Sequence, residues 1–127
     1  MSHIAKYKTK IKNPNTSLLK QALQQVAKKY NLQLIENGTI VDYYGRQQQV
    51  QGFVLIGKQL PRGIAITKQG TILGDSYGYE QTFNQVKQAI QQYYTAFAVA
   101  TAVQELYPEI NIQESQNELI VTGVRQW

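Results

Sequence analysis

Side chains that could support acid–base catalysis are few in this sequence, and they lie far apart along the chain. Asp75 and Glu80 form the closest pair of carboxylates, and they flank Tyr77 and Tyr79. Two carboxylates at such a spacing could act as a general acid and a general base. Acidic residues are also stabilised at the N-terminus of a helix, and a helix is predicted to begin near Glu80. The helix-start interpretation is the simpler one.

Nucleophilic and metal-assisted chemistry have even less support. The sequence contains no cysteine, which excludes disulfides, thiolate metal ligands and cysteine nucleophiles. The only histidine, His3, has no neighbouring residues at metal-ligand spacing. The segment Gly70–Gly74 lacks the Gly-Lys-Ser/Thr ending of a phosphate-binding loop. We therefore predict a protein that is not an enzyme and that binds neither a metal nor a cofactor.

Lysines are concentrated at the start of the chain. Residues 1–35 hold seven lysines and no acidic residue, although the whole chain has 13 Lys and Arg and 8 Asp and Glu. In the segment KYKTKIK every second residue is lysine, so an extended strand would project these side chains from one side. They could bind phosphate, or they could only keep an edge strand soluble and discourage edge-to-edge pairing. The candidate anion-contact residues are Lys8, Lys12, Lys28 and Lys29.

The nine tyrosines form a second group of candidate binding residues. Tyr43 and Tyr44 are adjacent, and Arg46 follows them. If both tyrosines lie on a strand, one ring points inward and the other outward. The outward ring could stack on nucleobases, anchor a protein interface, or pair with a neighbouring strand. No recognisable nucleic-acid signature favours the first alternative.

Local patterns predict the elements that position these residues. Alternation over residues 3–12 predicts a first strand. Apolar residues at helical spacing predict a helix that begins after Asn15 or Thr16 and ends near Asn31, with basic residues in its last turn.

Between the two predicted helices, short apolar segments predict five strands. They cover residues 32–35, 39–44, 50–56, 64–68 and 71–74. Asn37-Gly38 is a hairpin signal, and Leu60–Gly63 has the composition of a turn. We interpret the glutamines, including the triplet Gln47–Gln49, as neutral solvation.

A second helix is predicted from Glu80 to Tyr107 and ends before Pro108. Its segment Tyr94–Ala102 is apolar nearly all round, so it should be buried on both sides or covered by a partner subunit. Tyr94 and Phe97 are therefore candidate interface residues, and the sequence allows a homo-oligomer formed through this helix. A closing hairpin follows.

The element order β-α-β-β-β-β-β-α-β-β predicts an α+β fold, with a single antiparallel sheet and two helices packed on one face. We expect one domain over residues 1–127. With 43% hydrophobic residues the chain should not be disordered. It has no signal-peptide core and no apolar run long enough to span a membrane, so we expect a soluble, intracellular protein.

Over essentially its full length, and most specifically at its two ends, the sequence resembles the hypothetical chloroplast reading frame thirty-five family, a small domain of unknown function found in algal plastids and cyanobacteria. The resemblance is carried by Met1–Ile4, Lys8-Thr9, Ile11–Asn13, Leu18–Leu23, Tyr44–Arg46, Asp75, Phe83–Tyr93 and Arg125–Trp127. The chain departs from the family pattern at two places. At Arg62-Gly63-Ile64 the family has an acidic residue followed by Gly-Phe, and at Arg125-Gln126 the family has Gln-Arg. The resemblance implies plastid stroma or cyanobacterial cytoplasm, and no accepted activity.

Two functions fit these observations. The first is a non-enzymatic accessory or adaptor protein that acts through protein–protein contacts. Its candidate interface residues are Tyr43, Tyr44, Arg46, Tyr94, Phe97, Arg125 and Trp127. The alternative is a module that binds nucleic acid or another anionic surface through the basic first strand and first helix.

Overall fold

The structure, a computed structural model, describes residues 3–107, 111–115 and 118–122, and the side chains of residues 3–107. It confirms the predicted α+β class. In chain order the elements are β1 (Ala5–Tyr7), α1 (Thr16–Tyr30), β2 (Gln33–Glu36), β3 (Thr39–Val41), β4 (Gln47–Gln49), β5 (Gly52–Gly57), β6 (Leu60–Thr67), β7 (Ile72–Gly74), α2 (Glu80–Leu106), β8 (Asn111–Ser115) and β9 (Glu118–Thr122).

Five of the strands form the central sheet. Their order is β1-β7-β6-β5-β2, and every neighbouring pair is antiparallel. β6 is the central strand, with β7 and β5 on either side of it, and apolar side chains are needed there on both faces. We predicted a single sheet, and this is wrong. Among the described residues, β3 pairs only with β4 and β8 pairs only with β9, so each pair forms a separate two-stranded sheet.

Local capping fixes the ends of α1 as the sequence predicted. The side chain of Asn15 accepts a hydrogen bond from the Leu18 amide at 3.1 Å, which satisfies one of the free N–H groups of the first turn. Asn31 ends the helix in the left-handed conformation, with φ 54°. Lys28 and Lys29 lie in the last turn, where the helix dipole favours cations.

Both helices pack on one face of the central sheet, as predicted. Phe83 of α2 and Leu23 of α1 are at most 1% exposed, and Leu55 and Ile64 of the central strands lie beneath them. The same core includes the β1 residue Tyr7, whose ring contacts Phe83 with 5.5 Å between centroids.

A folded hairpin covers the opposite face. β2 and β5 pair with each other, and β3 and β4 continue that pairing as a separate two-stranded sheet. We predicted that Asn37-Gly38 would join two paired strands, and this is wrong. The chain bends there instead, because Ile40 and Val50 become buried against Val54, Ala65 and Leu73 on the second face of the central sheet.

Two segments that were not predicted as strands belong to the sheets. Gln47–Gln49, for which no strand was predicted, form β4, so six strands rather than five separate the helices. All three residues are exposed, which agrees with their interpretation as neutral solvation. Leu60–Gly63 was predicted to be a turn, but these residues begin β6. The ladder between β5 and β6 is irregular beyond Leu55, which lets Pro61 lie in the strand.

β8 and β9 form the closing hairpin, with Asn111 opposite Thr122 and Ser115 opposite Glu118. Arg125 and Trp127, two candidate interface residues, lie outside the described residues.

The folded hairpin can approach the central sheet closely only because residue 63 has no side chain. Gly63 has φ +84°, and a Cβ there would lie 3.0 Å from Ile40 Cγ2 and 3.2 Å from Val54 Cγ1. Gly63→Ala should therefore destabilise the protein by about 2–4 kcal/mol, from backbone strain and overpacking together. Urea unfolding measures this loss.

Gly45→Ala is the matched control for this substitution. Gly45 has φ +81° but would place its Cβ in open space. Only the backbone cost applies, about 1–2 kcal/mol. Equal losses for the two variants would contradict close packing of the hairpin on the sheet.

Candidate binding site at the tip of the folded hairpin

The tip of the folded hairpin is a tight turn built around Asp42. The Gly45 amide donates to the Asp42 carbonyl oxygen, and the Asp42 amide donates to the Arg46 carbonyl oxygen, each at 3.0 Å. Asp at the first position and a left-handed Gly at the fourth are typical of a type I turn followed by a bulge. The predicted strand through Tyr44 is therefore wrong, since β3 ends at Val41.

Because Tyr43 and Tyr44 lie in this turn, strand alternation does not bury either of them. We predicted one inward ring and one outward ring, but Tyr43 is 53% exposed and Tyr44 is 61% exposed. Both rings are therefore available for binding.

The carboxylate of Asp42 holds the turn together from inside. Its Oδ1 accepts the amides of Tyr44 and Arg46, each at 2.9 Å, and its Oδ2 accepts Arg46 Nε at 2.6 Å. Burial by itself would raise the pKa of Asp42. The hydrogen bonds and the positive charge of Arg46, with the Tyr44 amide, outweigh burial and hold this pKa below its ordinary value.

A second buried carboxylate fastens the turn to the loop that follows β7. Asp75 Oδ2 accepts the amide of Tyr43 at 2.8 Å, and its Oδ1 accepts the amide of Tyr77 at 3.1 Å. The helix-start interpretation of Asp75 is therefore replaced by an anchoring role. Glu80 does sit at the start of α2, where its carboxylate accepts the amide of Gly78 at 3.1 Å.

Arg62 of β6 lies beneath the same aromatic rings. Its guanidinium carbon is 5.0 Å from the centroid of the Tyr79 ring and 5.8 Å from that of Tyr43. Its Nη2 donates to the carbonyl oxygens of Asp75, at 3.3 Å, and Tyr77. Its Nε is buried without a hydrogen-bond partner. Arg62 therefore ties the loop to the sheet through cation–π and main-chain contacts.

The rings themselves form a continuous surface. Tyr43 contacts Tyr77 edge to face at a centroid distance of 4.8 Å, and it contacts Tyr44 at 5.3 Å. Tyr77 is 54% exposed, and the guanidinium of Arg46 lies 5.5 Å from the Tyr44 ring. We call this surface the tyrosine–arginine cluster, and its members are Tyr43, Tyr44, Arg46, Arg62, Tyr77 and Tyr79.

Sequence analysis found Tyr43, Tyr44 and Arg46 but missed the other half of the cluster. Arg62 was assigned to a turn, and Tyr77 was noted only as a neighbour of Asp75. An arginine within an otherwise apolar strand was the available signal, because a charged side chain there needs a partner.

The candidate lysines are not brought together. Only residues 5–7 of the predicted first strand are in β1, because the Thr9 hydroxyl takes over local hydrogen bonds with the Ile11 amide and the Gly70 carbonyl oxygen. Lys12 precedes α1, whereas Lys28 and Lys29 lie in its last turn. A 15-residue helix separates them by roughly 20 Å.

The two candidates on α2 have separate environments. Phe97 is 8% exposed and belongs to the core of its own chain. Tyr94 is half-buried, and its hydroxyl accepts the Asn15 amide at 3.0 Å. Phe97 is therefore not part of the exposed surface, and Tyr94 links α2 to the loop before α1.

Within the described part of the chain, no group of three or more His, Cys, Asp or Glu side chains could hold a metal ion. Neither of the described helices is both long and apolar enough to cross a membrane.

Replacing the Asp75 anchor should loosen the cluster. Asp75→Ala leaves the amides of Tyr43 and Tyr77 without their acceptor, so we expect a loss of about 1–3 kcal/mol of unfolding free energy. Hydrogen exchange of these two amides should accelerate more than that of amides in β5. Glu80→Ala, which removes one exposed hydrogen bond, is the control and should leave the Tyr43 amide protected. Unchanged exchange in Asp75→Ala would contradict the anchoring role.

The lowered pKa of Asp42 predicts a pH-dependent contribution to stability. The contribution is fully present above the pKa of an unfolded Asp, about 3.9, and is lost as the pH falls through the lower folded pKa. At neutral pH the Asp42→Asn variant should therefore be less stable than the wild type. The difference between their urea midpoints should shrink below about pH 4. A difference that is constant between neutral and acidic pH would rule out this linkage.

A scan against protein-family models, a search of curated proteins and a search of solved structures each gave no match to this chain. No relative therefore assigns a role to the tyrosine–arginine cluster. What it could bind has to be inferred from the chemistry and geometry of its own residues.

Proposed function

We propose that this protein is a non-enzymatic adaptor that binds a protein partner through the tyrosine–arginine cluster. The observation that carries the proposal is the exposure of Tyr43, Tyr44 and Tyr77 on a backbone fixed by two buried carboxylates. Each of the three rings is more than half exposed, although an aromatic ring gains free energy by leaving water. Tyrosine and arginine are also the residues most enriched among interface hot spots.

The rigidity of the cluster supports binding in a second way. A partner need not order the turn, because the amides of Tyr43, Tyr44 and Arg46 are already hydrogen bonded to Asp42 or Asp75. A preorganised site loses less conformational entropy when it binds. The tyrosine side chain also has few rotatable bonds, which limits the remaining cost.

The charge of the cluster favours a protein over a nucleic acid. Arg46 and Arg62 are balanced by Asp42 and Asp75, so the four residues carry no formal net charge. Binding to a phosphate backbone depends on an excess of cations. The alternative function, an anion-binding module, relies instead on Lys8, Lys12, Lys28 and Lys29, and the length of α1 separates Lys12 from Lys28 and Lys29.

For its location we propose the plastid stroma or the cyanobacterial cytoplasm. This part of the proposal is supported by the resemblance of the sequence to the plastid family, which is most specific at the chain ends. It determines the choice of extract in the following experiment.

Immobilised wild-type protein should retain a partner from cyanobacterial or plastid extract at both low and high salt. The double variant Tyr44→Ala/Tyr77→Ala should retain at least about 10-fold less of it, because hot-spot side chains contribute about 2 kcal/mol or more each. Both side chains are exposed, so the variant should fold normally. The retained protein is identified by mass spectrometry and its binding is then measured with purified components.

Two controls separate the alternatives. Tyr107→Ala removes another exposed tyrosine, at the far end of α2, and should leave capture unchanged. Lys28→Gln/Lys29→Gln should also leave it unchanged. If nucleic acid is retained instead, is released by salt and depends on these lysines, the alternative function is correct. Equal capture by the wild type and the double tyrosine variant would refute the proposal.

A further inference from the structure

A second exposed surface runs along α2, on the side opposite to the core. We call it the outward stripe, and all six of its residues are exposed. They are Gln88, Gln92, Thr95, Val99, Ala102 and Leu106. Successive members are alternately four and three residues apart, which is the spacing of the contact positions in paired helices. The stripe is polar at its start and apolar from Thr95 onward, where Val99 is 56% exposed and Leu106 is 74% exposed.

The whole outer side of this helix segment is uncharged. Residues 88–104 include no Asp, Glu, Lys or Arg, although 13 basic and 8 acidic residues occur among the 127 of the chain. At that frequency a segment of this length would contain about three. Charged side chains on exposed helix faces normally keep soluble proteins apart. Their absence along an exposed, partly apolar stripe is therefore typical of an interface.

A groove lies beside the stripe and could receive side chains from a partner helix. Its volume is about 700 Å³, and it is lined by the stripe residues Gln88, Gln92, Thr95 and Val99 together with Lys10 and Ile11. Paired helices pack by inserting side chains into such depressions.

We propose that the apolar half of the outward stripe, residues 95–106, binds the same segment of a second copy of this chain, with the two α2 helices antiparallel. A two-fold axis places the same stripe on both sides of the interface, so the stripe has to be complementary to itself. Because the stripe carries no charge, the pair would bury no charge without a partner. A strongly acidic or basic partner, by contrast, would find no opposite charge on the stripe.

The sizes of the apolar residues support the antiparallel direction. With the two-fold axis midway between Val99 and Ala102, Val99 faces Ala102 of the second copy and Leu106 faces Thr95. Each larger side chain then faces a smaller one, which allows close packing. A parallel pair would instead place Ala102 against Ala102, which leaves a gap at that layer.

Sedimentation equilibrium over about 1–500 µM tests the proposal, since a small interface is expected to be weak. The wild type should approach twice its monomer mass of 14.5 kDa. Val99→Glu should weaken self-association by about 100-fold, because it places like charges close to each other and to apolar groups at the centre of the interface. Gln85→Glu adds the same charge to the same helix outside the apolar half of the stripe, and it should remain dimeric.

A mixing experiment tests the direction of the helices, and its expected result is the formation of a dimer rather than the loss of one. In the antiparallel pair, Glu at 99 of one chain faces Lys at 102 of the other. Val99→Glu and Ala102→Lys should each be largely monomeric, whereas an equimolar mixture should form a heterodimer. A wild type that remains monomeric at all concentrations, a dimeric Val99→Glu, or a mixture that stays monomeric would overturn the proposal. Because Tyr44→Ala/Tyr77→Ala should dimerise normally, the proposed function and the proposed dimer can fail separately.

Discussion

The exposed rings at the hairpin tip depend on two hydrogen bonds that one carboxylate accepts. Asp75 receives the amide of Tyr43 from the folded hairpin and the amide of Tyr77 from the loop before α2. The rings are too exposed for their own burial to hold these two segments in place. The side chains of the cluster are therefore positioned by the main chain beneath them, and that main chain is positioned by Asp75.

The folded hairpin can reach Asp75 because of how the second face of the sheet is covered. β3 and β4 are too short and too polar to be stable as an isolated hairpin. Ile40 and Val50 supply the burial that holds them against the sheet. Gly63 allows the close approach, and Arg62, the preceding residue, extends to the loop that carries Tyr77 and Tyr79. These two adjacent residues of β6 thus have different roles. Gly63 makes room for the core beneath the hairpin, and Arg62 contacts the cluster at the tip of the hairpin.

The parts of this structure that could be predicted from sequence are those determined by neighbouring residues. Asn15 and Asn31 bound α1, and Glu80 and Pro108 indicate the ends of α2, because capping and helix breaking are local effects. The Asn37 turn was also locally correct, since Asn37 has φ 51°. The prediction that this turn joins two paired strands was wrong, because the burial of Ile40 against residues far along the chain decides which strands pair. β4 was missed for the same reason, as glutamine itself has no strong strand preference.

Half of the tyrosine–arginine cluster was unpredictable for a related reason. Tyr43 and Tyr77 are distant in sequence and meet only because a hairpin folds over a sheet, which no local pattern specifies. The turn itself could have been predicted from the sequence, however. Asp42 and Gly45 occupy the first and fourth positions that a type I turn favours, and recognising them would have predicted two exposed tyrosines instead of one.

The two exposed surfaces are compatible with each other because of where they lie on α2. The tyrosine–arginine cluster is next to the first turn of the helix, and the apolar half of the outward stripe begins 15 residues later, roughly 22 Å along the axis. In the proposed antiparallel dimer the two helix N-termini point away from each other. Each lies roughly 30 Å from the two-fold axis, which separates the clusters by roughly 60 Å. One dimer could then hold two partner molecules without collision, or bind one elongated or repeated partner twice. In the second case, the gain from linked binding would depend on how well the partner matches that separation.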